Sequence, residues 1–184
     1  TLPILSMSTL SAKRRSVLAG LIILSSLFFS LPVAAQQAPG DFIGFPAGFD
    51  RPGGLVFGPD GDLYVGSVNT DAVQRFDGAT GASKGTFVGI GAGGLDVPDG
   101  LVFGADGDLY VSSGVTNEVL RYDGVSGESK GSFVAAGSGG LSGPTGLTFG
   151  PDGELYVTST ATNEVLRYDG ATGEPKDAFI TASN

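Results

Sequence analysis

The 184-residue sequence contains no histidine, no cysteine and no tryptophan. Without histidine the chain cannot build a Ser-His-Asp triad, a His-ligated zinc site or imidazole acid–base chemistry from its own residues. Without cysteine it has no disulfide, no thiolate nucleophile and no Cys-based metal site, so its fold must be held by a core. Basic residues are scarce as well, ten against 19 acidic ones, for a net charge of −9. Three of the ten, Lys13, Arg14 and Arg15, precede Ala35, and no acidic residue does. Residues 36–184 therefore carry seven basic and 19 acidic side chains, a net charge of −12. Nucleic acid and anionic membranes need clustered Lys or Arg, so neither is an expected partner. A helical period is also missing from residues 36–184.

What is present falls into two compartments. The basic trio Lys13 to Arg15 leads into an apolar run, Val17 to Leu31, then Pro32 and the small-residue triplet Val33-Ala34-Ala35. This is the layout of a secretory signal over residues 1–35, with cleavage expected after Ala35 and Met7 as the expected start. Arg14-Arg15 gives it a loosely twin-arginine look. The competing reading is an uncleaved anchor, but the run is short of the roughly 20 residues a membrane-crossing helix needs. The expected destination is the periplasm or the exterior, with no membrane attachment after cleavage.

In the second compartment one block recurs three times. GLVFGPDGDLYVGS starts at Gly54, GLVFGADGDLYVSS at Gly100 and GLTFGPDGELYVTS at Gly146, so the period is fixed at 46 residues. Each repeat divides into four short apolar runs separated by turns. In the first these are Gly54 to Gly58, Leu63 to Val65, Ala72 to Phe76 and Gly85 to Val88. Asp-Gly occurs twice per repeat, at Asp60-Gly61 and Asp77-Gly78 and their equivalents. It is a strong hairpin signal, because glycine accepts the positive φ such turns demand. Leu55-Val56-Phe57 and Leu63-Tyr64-Val65 are continuous apolar runs, as expected of strands covered on both faces. Four such strands per 46 residues predict an all-β propeller of four-stranded antiparallel blades.

The expected organisation is an outer strand and linker over 36–53, then blades over 54–99, 100–145 and 146–184. Phe42-Ile43 echoes the outer strand Phe87-Val88, and Phe179-Ile180 forms the outer strand of the third blade. Three blades are expected to be part of a larger ring, either in a longer chain or through pairing of two copies. Open blade faces, exposing Leu55, Phe57, Leu155 and Val157 or their same-face neighbours, would favour self-association.

The motif Pro-x-Gly-Leu-x-Phe-x-Pro-Asp-Gly-x-Leu-Tyr-Val, followed by Asn-Glu-Val-Leu-Arg-Tyr-Asp-Gly, resembles the NHL repeat of six-bladed propellers over about Phe42 to Ala182. The resemblance implies a propeller fold, but it leaves function open between scaffolds, ligand binders and enzymes. Streptogramin-lyase-like propellers share the pattern and depend on histidine, which this chain lacks. In the gluconolactonase and senescence-marker group a channel-mouth metal is held partly by the residue between Pro and Gly before the innermost strand. Here those triplets read Pro52-Gly53-Gly54, Pro98-Asp99-Gly100 and Pro144-Thr145-Gly146, and only Asp99 matches.

Asp99 and Thr145 are thus the candidate ligand-binding residues at the channel mouth, and Asp99 is the one candidate ligand for a divalent cation. An Asx turn is the plainer reading of Asp99. The Asp-Gly-Asp/Glu turns lack the donors of a calcium loop and read as turn chemistry. Arg75, Arg121 and Arg167 recur at one third-strand position and read as ion pairs within or between blades. No catalytic residue and no obligatory cofactor is expected. The expected role is non-catalytic binding of a protein, small-molecule or carbohydrate ligand, or scaffolding; a metal-dependent hydrolase, lactonase or lyase is the alternative.

Overall fold

A computed structural model describes residues 49–182. The leader, Ala35 and the Phe42-Ile43 segment lie outside the described residues. Eleven strands follow in order: β1 Pro52–Phe57, β2 Leu63–Ser67, β3 Ala72–Phe76, β4 Ser83–Val88, β5 Pro98–Phe103, β6 Leu109–Ser113, β7 Glu118–Tyr122, β8 Ser129–Val134, β9 Pro144–Phe149, β10 Leu155–Ser159 and β11 Glu164–Tyr168. They form antiparallel meanders, β1-β2-β3-β4, β5-β6-β7-β8 and β9-β10-β11, one per repeat. Each first strand opens at the proline two residues before the expected glycine. A bulge follows, between Pro52 and Leu55 in the first sheet. The Gly-rich connections, read from sequence as flexible links, each hold a one-turn 3-10 segment, Ala92–Gly94 and Ser138–Gly140.

The second strands are the most enclosed. All five residues of β2 and of β6 are buried, which explains the unbroken apolar runs. The cores lie between sheets. Tyr64, Val73, Val88 and Leu95 pack with Leu101, Leu109, Val111, Leu120 and Tyr122 of the next blade. The same set, shifted by one repeat, joins the second and third blades. Leu155 and Val157 are fully buried there. They are not on the open face as expected from sequence: alternation sends them toward the second blade and leaves Tyr156 pointing away. Leu55 and Phe57 are exposed on the outer face of the first blade, as expected.

Buried serines tie each blade to the chain entering it. Ser67 Oγ accepts from Asp50 N (2.9 Å) and donates to Asp50 O (3.1 Å). Ser113 does the same with Asp96, and Ser159 with Ser142. A hydroxyl can do both, so these three buried serine hydroxyls are satisfied.

The third blade departs from the repeat at its outer edge. Its fourth strand is reduced to two isolated bridges, Val165 to Ile180 and Tyr168 to Pro175. In the other blades this strand passes through Gly85 (φ 91°) and Gly131 (φ 90°). The equivalent residue is Asp177, whose Cβ disfavours that conformation. Pro175 replaces Ser83 and Ser129 and removes a backbone donor.

Candidate functional site

The innermost strands β1, β5 and β9 run side by side, and their first residues form one mouth. A Cβ on Gly54 would come within 2.0 Å of Asp99 O, and one on Gly100 within 2.1 Å of Thr145 O. Glycine is therefore required after the variable residue, because neighbouring innermost strands touch backbone to backbone there. The same contact brings Gly53, Asp99 and Thr145, all half-buried, to the same end of three adjacent strands.

Sequence reasoning missed the other half of this mouth. The second strands read LYVGS, LYVSS and LYVTS, so Gly66, Ser112 and Thr158 break the repeat beneath the first set. Ser112 Oγ accepts from Gly100 N and donates to Thr145 O of the next blade, both at 2.7 Å. Thr158 Oγ1 lies 2.8 Å from Thr145 Oγ1 and accepts from Gly146 N at 2.8 Å. In the first blade no side chain fits, since a Cβ on Gly66 would lie 2.7 Å from Pro98 O. The signal of Gly66, Ser112 and Thr158 in the sequence is that they vary within an otherwise constant LYVxS motif.

Chemically the mouth is a set of hydroxyls and carbonyls with one carboxylate. Among the described residues the Asp99 side chain takes no hydrogen bond, so the expected Asx cap is not formed. Thr145 and Ser112 hold each other's blades in register. Among the described residues no three acidic side chains cluster in a way that could hold a metal ion. Among the described residues Ser112 has no general base beside it, its two partners being backbone groups. The arrangement can bind and orient polar groups, but within these blades it lacks an acid–base pair.

The charged residues gather at the opposite end of the strands. Arg75 donates to Asp62 Oδ2 through Nε (2.6 Å) and to Asp60 Oδ2 through a terminal nitrogen (2.5 Å). It also lies 5.6 Å above the Tyr64 ring. Lys84 Nζ reaches Asp62 Oδ1 at 2.6 Å and Asp77 at 3.3 Å. The second blade repeats all of this with Arg121, Asp106, Asp108, Lys130 and Asp123. Arg75 and Arg121 are thus intra-blade ion-pair partners, whereas Arg167 forms no ion pair among the described residues, so the ion-pair reading does not extend to the third blade. The Lys84 hydrogen bond, helped by Arg75, holds the Asp62 carboxyl below its ordinary range. Hydrogen bonds from the Thr80 hydroxyl and amide draw Asp77 down to about 2. A groove of about 430 Å³ between the second and third blades borders this end, lined by Ala105, Asp106, Tyr110, Arg121, Phe149 and Ala171. Ala105 stands where the other blades have proline, and Asp106 and Arg121 are already committed to each other.

No helix of the described residues is long and apolar enough to cross a membrane. No protein-family profile matches the sequence, and no curated protein matches it. Solved structures do. One is a catalytically inactive histidine-to-alanine variant of virginiamycin B lyase from Staphylococcus aureus with quinupristin: 22% identity, TM-score 0.59, covering 72% of this chain and 42% of that one. A nidogen/laminin complex matches at 24% identity and TM-score 0.60, covering 76% of this chain and 51% of that one. A streptogramin B lyase matches at 21% identity and TM-score 0.59, with 76% and 44% covered. The chain thus spans about half the length of the structures it matches. Their likeness fixes the architecture: the three sheets are blades of a β-propeller.

Proposed function

We propose that this chain is an exported propeller module of NHL type that binds a neutral, hydroxyl-rich ligand such as a carbohydrate at the axial mouth, without catalysis. The carrying observation is that two sets of positions that vary between repeats, 53/99/145 on the innermost strands and 66/112/158 on the second strands, converge on that mouth. The Asp99 carboxylate and the Thr145 and Thr158 hydroxyls supply groups that suit sugar hydroxyls, and the fully buried Ser112 holds the two blades that carry them in register. Export rests on the sequence of residues 1–35, and the NHL assignment on the repeat motif.

The lyase neighbours favour binding over turnover for this chain. One of them is inactive as a histidine-to-alanine variant, and here histidine is absent throughout. The nidogen/laminin match is a propeller captured in a protein complex, which makes a protein partner the second form of the same binding reading. A hydrolase or lactonase reading rests on Asp99 alone.

A glycan array probed with purified protein tests the proposal. Binding is expected, with loss in Asp99→Ala and in Ser112→Ala. An array without signal would remove the carbohydrate reading. Hydrolysis of lactone or ester substrates in the presence of calcium or zinc, abolished by Asp99→Ala, would overturn the non-catalytic one.

A further inference from the structure

The sequence holds seven Asp-Gly pairs. In such a pair the aspartyl carboxyl is open to attack by the amide that follows it, because glycine has no side chain to shield that nitrogen. The seven differ in how firmly the fold holds carboxyl and amide apart. Asp99-Gly100 lies in β5, where Gly100 is buried and its N–H donates to Ser112 Oγ at 2.7 Å. The other six lie in turns. Asp77, Asp123 and Asp169 each accept two backbone amides and one hydroxyl on Oδ1. Each also has a lysine nitrogen within 3.5 Å of its other oxygen.

Asp60, Asp106 and Asp152 share one position, in the turn between the first and second strands of a blade. Each accepts from the amide two residues on and from the tyrosine hydroxyl four residues on. For Asp60 these distances are 3.0 and 2.9 Å, for Asp106 3.1 and 2.8 Å, and for Asp152 3.2 and 2.8 Å. Asp60 and Asp106 are further clamped by Arg75 at 2.5 Å and Arg121 at 2.7 Å. Asp152 is not, because Arg167 forms no ion pair among the described residues. It is the one turn aspartate of the six without a cation on its carboxylate. Residues 58–61 and 150–153 both read Gly-Pro-Asp-Gly, so the first and third turns have the same intrinsic chemistry. All of these contacts lie inside one blade. The Asp60 and Asp106 side chains stay 36% and 37% exposed with a further blade packed beyond them, so water reaches this turn whatever adjoins the blade.

We propose that Asp152 is a modification site, at which the chain rearranges to isoaspartate ahead of every other Asp-Gly pair. Gly153 N attacks Asp152 Cγ, and the carboxyl OH leaves as water with the amide proton, closing a five-membered succinimide. Water then adds back. Cleavage of the new N–Cγ bond restores aspartate, whereas cleavage of the original peptide C–N bond leaves the backbone running through Cγ. One water is lost and one regained, and nothing is oxidised or reduced. To react, the turn must release the Gly153 N–H from Gly150 O (3.0 Å) and swing the carboxyl toward it. An arginine on the carboxylate opposes that swing through a charge-assisted hydrogen bond, which the first two turns must break and the third need not. The product carries an extra backbone methylene where space is short, since a Cβ on Gly170 would come within 1.7 Å of Gly153 O. Rearrangement therefore loosens this end of the third blade. The turn lies at the end of the strands away from the mouth and takes no part in the proposed ligand site.

The test is incubation of the purified full chain at physiological temperature and neutral pH, followed by peptide mapping with electron-transfer fragmentation, which distinguishes aspartate from isoaspartate. Isoaspartate is expected to accumulate at Asp152 about threefold or more faster than at Asp60, the difference that one exposed ion pair makes. In urea, where the two Gly-Pro-Asp-Gly turns are unfolded, the two rates should be equal. Equal rates in the folded protein, another Asp-Gly pair in the lead, or a bias toward Asp152 that persists in urea would each overturn the proposal. Glu154→Asp gives Arg167 the aspartate that Arg75 and Arg121 have, and should slow Asp152 to the Asp60 rate while leaving Asp60 unchanged. An Asp152 rate unaltered by Glu154→Asp would also overturn it.

Discussion

Arg167 and Glu154 stand where Arg75 and Asp62 meet in the first blade, and they fail to meet. Arg75 Nε donates to Asp62 Oδ2 at 2.6 Å, whereas Arg167 Nε and Glu154 Oε2 are both buried without a hydrogen-bond partner. Glu154 keeps the lysine contact, to Lys176, that Asp62 and Asp108 make to Lys84 and Lys130, and loses only the arginine contact. A buried group left unpaired costs about 1–3 kcal/mol. Glu154→Asp is expected to restore the arginine contact and stabilise the protein by about 1 kcal/mol, raising the melting midpoint by about 3–5 °C. The reciprocal change Asp108→Glu should lower it. Calorimetry on both variants checks this, and a lower midpoint for Glu154→Asp would contradict it.

Val97 is a β-branched residue at φ 57°, a conformation its side chain disfavours. It stays there because its amide is held by Asp71 and its carbonyl accepts from Gly114 N at 3.1 Å. The equivalent residue in the third blade is Gly143. Asparagine tolerates left-handed geometry, so Val97→Asn should relieve strain and raise the unfolding free energy by about 0.5–1 kcal/mol. Urea titration reads the shift. A lower midpoint at unchanged slope would mean that the packing of Val97 on Gly114 outweighs the strain.

The periodic parts of the fold were legible because they answer to local chemistry. Asp77 read as a turn residue, and its Oδ1 does accept from Ala79 N, Thr80 N and Thr80 Oγ1. Arg75 reads as an ion-pair residue within or between blades, and its partners Asp60 and Asp62 lie in its own blade across the sheet. The side on which Leu155 is buried is not legible, because two consecutive apolar residues give no sign of which one faces the preceding blade. Ser112 was overlooked because a serine in a strand carries no chemical signature until a carbonyl from the next blade comes within reach. That approach depends on Gly100, whose role appears only when the strands are side by side.

Stability should be flat between pH ~5 and ~8, because no histidine is present to titrate there. On the acid side, Asp62, Asp77, Asp123 and Asp169 all have lowered pKa values in the fold, Asp77 at about 2 through its hydrogen bonds from Thr80. The folded state then binds fewer protons than the unfolded chain, whose aspartates titrate near 3.9. Their contribution is present above the unfolded value and is lost as pH falls through the lowered folded values, for Asp77 through about 2. On the alkaline side burial pushes Tyr168 up to about 12. Its neutral form is favoured by folding, so that contribution holds below pH ~10 and is lost as pH rises through ~12. Denaturant midpoints across this range should trace a plateau with two falling ends. A maximum near pH 3 would contradict the acid arm.

The missing fourth strand of the third blade has a local cause that two substitutions can remove. Gly85 and Gly131 take φ near 90° at a bulge where β3 and β7 shift register against β4 and β8. Asp177 cannot follow cheaply, and Pro175 cannot donate where Ser83 and Ser129 can. The segment is nonetheless held in place, since Lys176 N donates to Arg167 O at 2.8 Å and Phe179 N to Val165 O at 2.8 Å. Asp177→Gly combined with Pro175→Ser should therefore complete the ladder without moving β11. Amide exchange over residues 176–180 is expected to slow by about tenfold or more, while exchange in β10 is unchanged. Unaltered protection at 176–180 would show that the interruption comes from the open face beside Phe179 and Ile180, and not from these two residues.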